Sequence, residues 1–329
     1  MTDEAKVPQT IAELLGDHSP KNWGKWGADD EVGSLNYLTA AEVLRGVSAV
    51  KSGETFTLQV PIGLPEANGD PVWPNRQSAV RTSVMDEGFF QRGEAGPTGG
   101  DHHYADDKIE MFLQGSTQVD ALGHIWYDGV IYNGYDASTT EGALTKASVL
   151  PLAERGIVGR GVLIDIARHR GKKALERRET VGLDDLLAAA EAQGVTIEKH
   201  DIIVFHTGWL TRFYDGDRDE FYADWSEPGL TYSPELVQWF HDMEIPSLVT
   251  DLVGNEATHY PGSPVEIPLH SALMRNLGVV FTEVCWLEDL ADACAADGRY
   301  TFLYTAAPLK VYGGSGAPAP VLRGGHRIG

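Results

Sequence analysis

Cysteine is scarce in this sequence, with Cys285 and Cys294 the two thiols among 329 residues. Two cysteines outside any CxxC spacing build neither a disulfide framework nor a metal finger, so both are read as reduced, structural thiols. Cys285 lies in Thr282-Glu283-Val284-Cys285-Trp286, where a nucleophile is the alternative to buried filler. Positive charge is scarce as well. Lys and Arg number 26 against 48 Asp and Glu, giving a formal charge of -22, and this disfavours a nucleic-acid backbone or an anionic membrane surface, which need clustered cations. No apolar run approaches the length of a membrane span, and Met1-Thr2-Asp3-Glu4-Ala5-Lys6 is polar without an apolar core. A cytoplasmic protein is expected. GxxxxGK[ST] and a post-strand GxGxxG are both missing, which leaves nucleotide and dinucleotide binding unsupported. Gly313-Gly314-Ser315-Gly316-Ala317 lacks the last glycine of a nucleophile elbow, so a serine hydrolase is a weak reading. Repeats and low-complexity linkers are also missing, and Gly and Pro are spread along the chain.

What remains is the composition of a globular protein, 42% hydrophobic and 9% aromatic, read as a single domain over residues 1–329 with an N-terminal extension of about 1–50. The first half reads as β-heavy. A short helix near 10–15 and a Trp-rich loop at 22–27 lead to a helix from 40 to about 50, whose Thr39 and Glu42 form a capping box. Strands follow at 55–60, 79–85, 108–119 and 123–127. The second half alternates: strand 161–166, helix 183–192, strand 201–206, helix 234–243, strand 247–250, helix around 269–276, strand 279–283, helix 286–295 and strand 301–308. Such alternation specifies an α/β fold with a mixed central sheet and helical cover.

The run Gln114-Gly115-Ser116-Thr117-Gln118-Val119-Asp120-Ala121-Leu122-Gly123-His124 carries polar residues where an apolar strand face is expected. If it is extended, Gln114, Ser116, Gln118, Asp120 and His124 share one face, and Leu113, Gly115, Thr117 and Val119 share the other. Burying such a face without partners costs roughly 1–3 kcal/mol per polar group. A ligand, a metal or a dense hydrogen-bond network is therefore required. Asp120 and His124 can share a metal, or the carboxylate can hold the metal while the ring acts as base. A hydrogen-bonded pair tying a strand to its turn is the other reading, and the polar face tips the choice toward function.

His270 at a helix start and Glu283 at the end of an apolar strand form a second pair. They either aim into a pocket or serve as a helix cap and a partner for a nearby arginine, and residue types alone favour the second account. His102 and His103, in a Gly/Asp-rich loop ahead of the polar run, are candidate substrate contacts at a pocket rim. Trp126, Trp209 and Trp286 are candidate pocket walls or plain core. Asp251 enters the pocket or caps a turn.

These segments together resemble the metal-dependent cyclase superfamily, which includes bacterial kynurenine formamidase, isatin hydrolase and a trans-dienelactone hydrolase. Its signature H-x-G-T-H-x-D-x-P-x-H falls on Gln114, Ser116, Thr117, Gln118, Asp120, Leu122 and His124, with Thr117, Asp120 and His124 matching literally. Shorter matches run along the chain: 25–36, Leu163-Ile164-Asp165, 201–209, His270 with Glu283, and Ala307-Pro308-Leu309-Lys310. The resemblance implies a swivelling β/β/α cyclase-like fold, usually a homo-oligomer (dimer or tetramer). It also implies a divalent metal (manganese, zinc or magnesium) held at the positions of Gln114, Gln118 and Asp120. His124 would be the base, and His270 and Glu283 would complete a second metal position or orient water.

Glutamine stands here for two imidazole ligands. Amide oxygens are harder donors, which shifts preference from zinc toward manganese or magnesium. The same pair resembles the branch containing trans-dienelactone hydrolase, which points to lactone opening. The resulting expectation is a metal-dependent hydrolase acting on a small lactone or cyclic amide, with Asp120, Gln118 and His270, and also Gln114 and Glu283, around the ion. A cyclase or dehydratase of aromatic-metabolite biosynthesis and a metal-free small-molecule binding protein are the alternatives.

Overall fold

The computed structural model describes residues 7–51, 53–64, 69–94 and 102–324. In chain order the strands are β1 (Thr55–Thr57), β2 (Val80–Met85), β3 (Asp106–Glu110), β4 (Gln118–Asp120), β5 (Ile157–Asp165), β6 (Thr180–Val181), β7 (Ile202–His206), β8 (Gly229–Leu230), β9 (Ser247–Thr250), β10 (Val280–Glu283), β11 (Thr301–Ala306), β12 (Gly316–Pro318) and β13 (Val321–Gly324). Among the described residues nine of them form one mixed sheet in the order β1-β13-β11-β5-β7-β9-β10-β4-β12. The central strands β5, β7, β9 and β10 are parallel. Their apolar character on both faces, as in Ile202-Ile203-Val204-Phe205, suits strands covered on both sides, and β7, β9 and β10 are buried throughout.

Helices pack closely on this centre. Ala40–Ser48 lies against β5 with its Gly46 so near that a Cβ there would sit 2.6 Å from the Gly159 carbonyl carbon. Leu15, Leu35 and Leu38 of the first fifty residues enter the same core as the central strands. The sheet curls. Leu58, just after β1, accepts from the Trp286 amide at 2.9 Å, and Gln59 bridges Cys285. The chain leaving an edge strand thus meets the chain leaving β10.

Antiparallel β4 is the element that matters for chemistry. Its register sets Gln118 opposite Glu283 and Val119 opposite Thr282, so Gln118 and Asp120, two apart, share a face beside the end of β10.

Three local expectations are corrected. The strand expected over 108–119 is broken after Glu110, and residues 111–117 turn before β4 begins. Gly115 lies against the Phe112 carbonyl oxygen, where a Cβ would come within 2.8 Å. Thr117 is spent on long-range bonds, donating to the Val284 carbonyl at 2.6 Å and accepting from the Val60 amide at 3.0 Å. The strand expected over 123–127 is a turn closed by the His124 amide on the Ala121 carbonyl. Thr39 sits at the helix start but makes no side-chain cap, and Glu42 instead binds Arg45 at 2.6 Å and His200 at 3.1 Å. The helix expected around 269–276 is present, and its His270–Arg275 segment is π-helical with every residue buried, a local form frequent at functional sites.

Candidate metal centre

Gln118, Asp120, His270 and Glu283 meet where β4 lies against the end of β10. All four are at most 3% exposed. Ligand atoms of Asp120, His270 and Glu283 lie within 4.8 Å of one another. The Gln118 Nε2 donates to Glu283 Oε2 at 2.6 Å, which leaves the amide oxygen free. Gln118 Oε1, both Asp120 carboxylate oxygens and Glu283 Oε1 are buried with no hydrogen-bond donor. Four orphaned acceptors in one place call for a cation, because buried acceptors otherwise find donors.

His270 is aimed at this group by Glu256. Glu256 Oε1 lies 2.8 Å from His270 Nδ1, and the same carboxylate accepts the backbone N–H groups of Leu269 at 2.7 Å and His270 at 2.8 Å. With Nδ1 engaged, Nε2 faces the site, 3.4 Å from Glu283 Oε1. A carboxylate fixing one ring nitrogen while the other faces a metal position is the usual second-sphere arrangement for histidine ligands. Burial works to lower the His270 pKa, but the hydrogen bond with Glu256 and the charge of the nearby Glu283 carboxylate outweigh it and push it up to about 10. Burial, and then the charge of Asp120, pushes Glu283 up.

A cavity of about 390 Å³ opens beside these residues. Asp120, His124, His270, Glu283, Asn75 and Arg76 supply its polar lining, and Trp73, Phe112, Ile125 and Ile267 its apolar wall. His124 is held below its ordinary value by desolvation and is thus a neutral proton acceptor near pH 7. Its Nδ1 lies 3.5 Å from Gln114 Nε2, which also donates to Ser315 Oγ at 3.1 Å. Gly316 clears the space between them: a Cβ there would fall 2.7 Å from Gln114 Nε2 and 3.2 Å from Asp120 Oδ1. A second cavity of about 330 Å³, walled by Val60, Ile62, Leu309 and Pro318, has no titratable side chain in its lining.

The structure therefore brings together Gln114, Gln118, Asp120, His124, His270 and Glu283. It does not bring His102, His103, Trp126 or Trp209 to the cavity. His102 and His103 are exposed, with His103 3.1 Å from Glu87 and stacked on Phe90. Trp126 is 44% exposed, whereas Trp209 is fully buried against Phe221. Cys285 is buried and its thiol is pushed well up by desolvation, which leaves no thiolate for a nucleophile. Glu256, Arg76 and Trp73 carry no spacing signal that reading the sequence could use.

His206, Asp251 and Glu288 form a second cluster, but it satisfies itself. His206 contacts Asp165 and Glu288, each at 2.9 Å, and Asp251 accepts from the Thr207 amide and hydroxyl and the Trp209 amide. Nothing there is orphaned, so the cluster reads as structural.

With this geometry in place, the family model for cyclases matches residues 56–257. The chain belongs to the cyclase family. A crystal structure described as a novel cyclase is 34% identical to this cyclase-family chain, covering 92% of it and 99% of its own length with a TM-score of 0.83. Isatin hydrolase A from Labrenzia aggregata, solved with benzyl benzoate, is 21% identical over 89% of this chain and 100% of its own, with a TM-score of 0.59. A protein described as a predicted metal-dependent hydrolase from Bacillus stearothermophilus is 19% identical over 83% and 98%, with a TM-score of 0.50. No curated protein matches. The two more distant structures speak for the fold, and membership of the cyclase family supports a hydrolase- or cyclase-like enzyme.

Proposed function

We propose that this cyclase-family chain is a metal-dependent hydrolase that opens a small lactone or cyclic amide. The supporting observation is the set of four orphaned acceptors, on Gln118, Asp120 and Glu283, next to the Glu256-oriented His270. Asp120, Glu283, His270 and the Gln118 amide oxygen would hold the ion, with Gln114 at the border. One imidazole among oxygen donors favours manganese or magnesium over zinc. A divalent cation in this cradle would supply Lewis acidity toward a carbonyl and toward water near neutral pH.

The remaining work falls to the chain. His124, kept neutral by desolvation, takes the proton from the attacking water at a ring nitrogen. Gln114 and Ser315 hold that ring's neighbourhood in place, and the Trp73, Phe112 and Ile267 wall accepts the apolar part of a ring and displaces solvent. The test is hydrolysis of a panel of small lactones and cyclic amides by protein stripped with chelator and reloaded with manganese, magnesium or zinc. Metal-restored ring opening with one water oxygen-18 atom in the product is the expected result. Full activity after exhaustive chelation would sink the metal requirement, and turnover without oxygen-18 uptake would favour ring closure or dehydration. Light scattering tests the homo-oligomer that accompanies this reading.

A further inference from the structure

Arg76 stands at the edge of the same cavity with most of its guanidinium unused. Its Nη1 donates to the Gln114 carbonyl oxygen at 3.2 Å. Among the described residues no other hydrogen bond and no carboxylate partner accompanies it. That is unusual for a chain with 48 acidic residues, where Arg45, Arg160, Arg168 and Arg170 all pair with carboxylates. Other arginines without a carboxylate are taken up elsewhere: Arg155 donates to the carbonyls of Leu35 and Leu38, Arg177 donates to three carbonyls including Asp224, and Arg218 lies over the Phe213 and Tyr222 rings. Arg76 has one such contact, and its charge is felt at both His124 and Glu283.

The cavity lining therefore carries the Asp120 and Glu283 carboxylates together with a guanidinium that has free donors. A guanidinium fork binds a carboxylate through two parallel hydrogen bonds, and it does so best at a partly desolvated edge. Trp73, Phe112 and Ile267 supply apolar lining in the same cavity, which suits a flat or apolar ring.

We propose that Arg76 selects anionic substrates: small cyclic esters or amides that already carry a carboxylate, which pairs with the guanidinium and turns the scissile carbonyl toward Asp120 and Glu283. The reaction named here rests on the hydrolase reading, whereas the recognition of a carboxylate does not.

Binding of benzoate and of its neutral isostere benzamide to the full chain, measured by calorimetry with and without manganese, tests it. The wild-type protein is expected to prefer benzoate. Arg76→Gln should weaken benzoate by about tenfold or more, the worth of a charge-assisted fork, and leave benzamide unchanged. If Arg76→Gln does not fold, Arg76→Lys keeps the charge without the fork and should weaken benzoate several-fold with benzamide unmoved. No preference for benzoate in the wild type, or a preference that survives in the variant, overturns the proposal. A preference lost in the variant, in a protein that hydrolyses nothing, retains the anion site and removes the hydrolase reading instead.

Discussion

Asp120 keeps both carboxylate oxygens free of donors at 1% exposure, with the Glu283 carboxylate in the same group. Two buried like charges repel, and a cation relieves them. Asp120→Asn is therefore expected to act in opposite directions on activity and stability. Turnover should fall by more than about 100-fold, beyond the usual effect of losing an outer partner, while the chelated variant melts above the chelated wild type. A lower melting temperature for the chelated variant would contradict the repulsion. Glu256 acts through His270, fixing its ring and its backbone with one carboxylate. Glu256→Gln should lower manganese affinity by roughly 10–100-fold, read by titration of metal into stripped protein, and excess manganese should restore most of the activity.

At the scale of the element, Gly46 is a place where two principles compete. Alanine is the better helix former by about 1 kcal/mol, yet its Cβ would press on the Gly159 backbone, and overpacking of this kind costs about 1–3 kcal/mol. Gly46→Ala should be net destabilising in urea denaturation. His206 ends β7 between Asp165 and Glu288; burial lowers its pKa, but these carboxylates raise it to about 10. A folded value above the ordinary 6.5 means that its contribution is complete below about pH 6.5 and is lost as pH rises through 10. The melting temperature of the wild type should fall more steeply between pH 7 and 10 than that of His206→Gln, and equal slopes would refute the linkage. The parallel strands were legible because Ile202-Ile203-Val204-Phe205 is apolar on both faces. The polar run was legible as a candidate site but not as a shape. Alternation cannot show that Gly115 turns the chain or that Thr117 is claimed by Val284 and Val60, since both depend on elements far along the chain. Glu256 and Arg76 were silent for the same reason, their roles being set by where the curled sheet brings them.

For the molecule as a whole, a charge of -22 favours cation uptake and colloidal solubility alike. If manganese binds as proposed, at 100 times its dissociation constant it would stabilise the native state by about 2.7 kcal/mol, and a rise of a few degrees in melting temperature should be measurable by calorimetry. Nothing in the described chain is a helix long and apolar enough to cross a membrane. The hydrogen bond between Gln118 and Glu283 spans 165 residues, and it forms when an antiparallel strand docks beside β10 in a sheet whose edges also pair across the chain. Such distant pairings close late, because loop entropy must be overcome before they contribute. An ion held by these residues would therefore not template the early chain. Manganese should slow unfolding in stopped-flow experiments while leaving the refolding rate unchanged, so that the metal acts as a latch on a finished sheet.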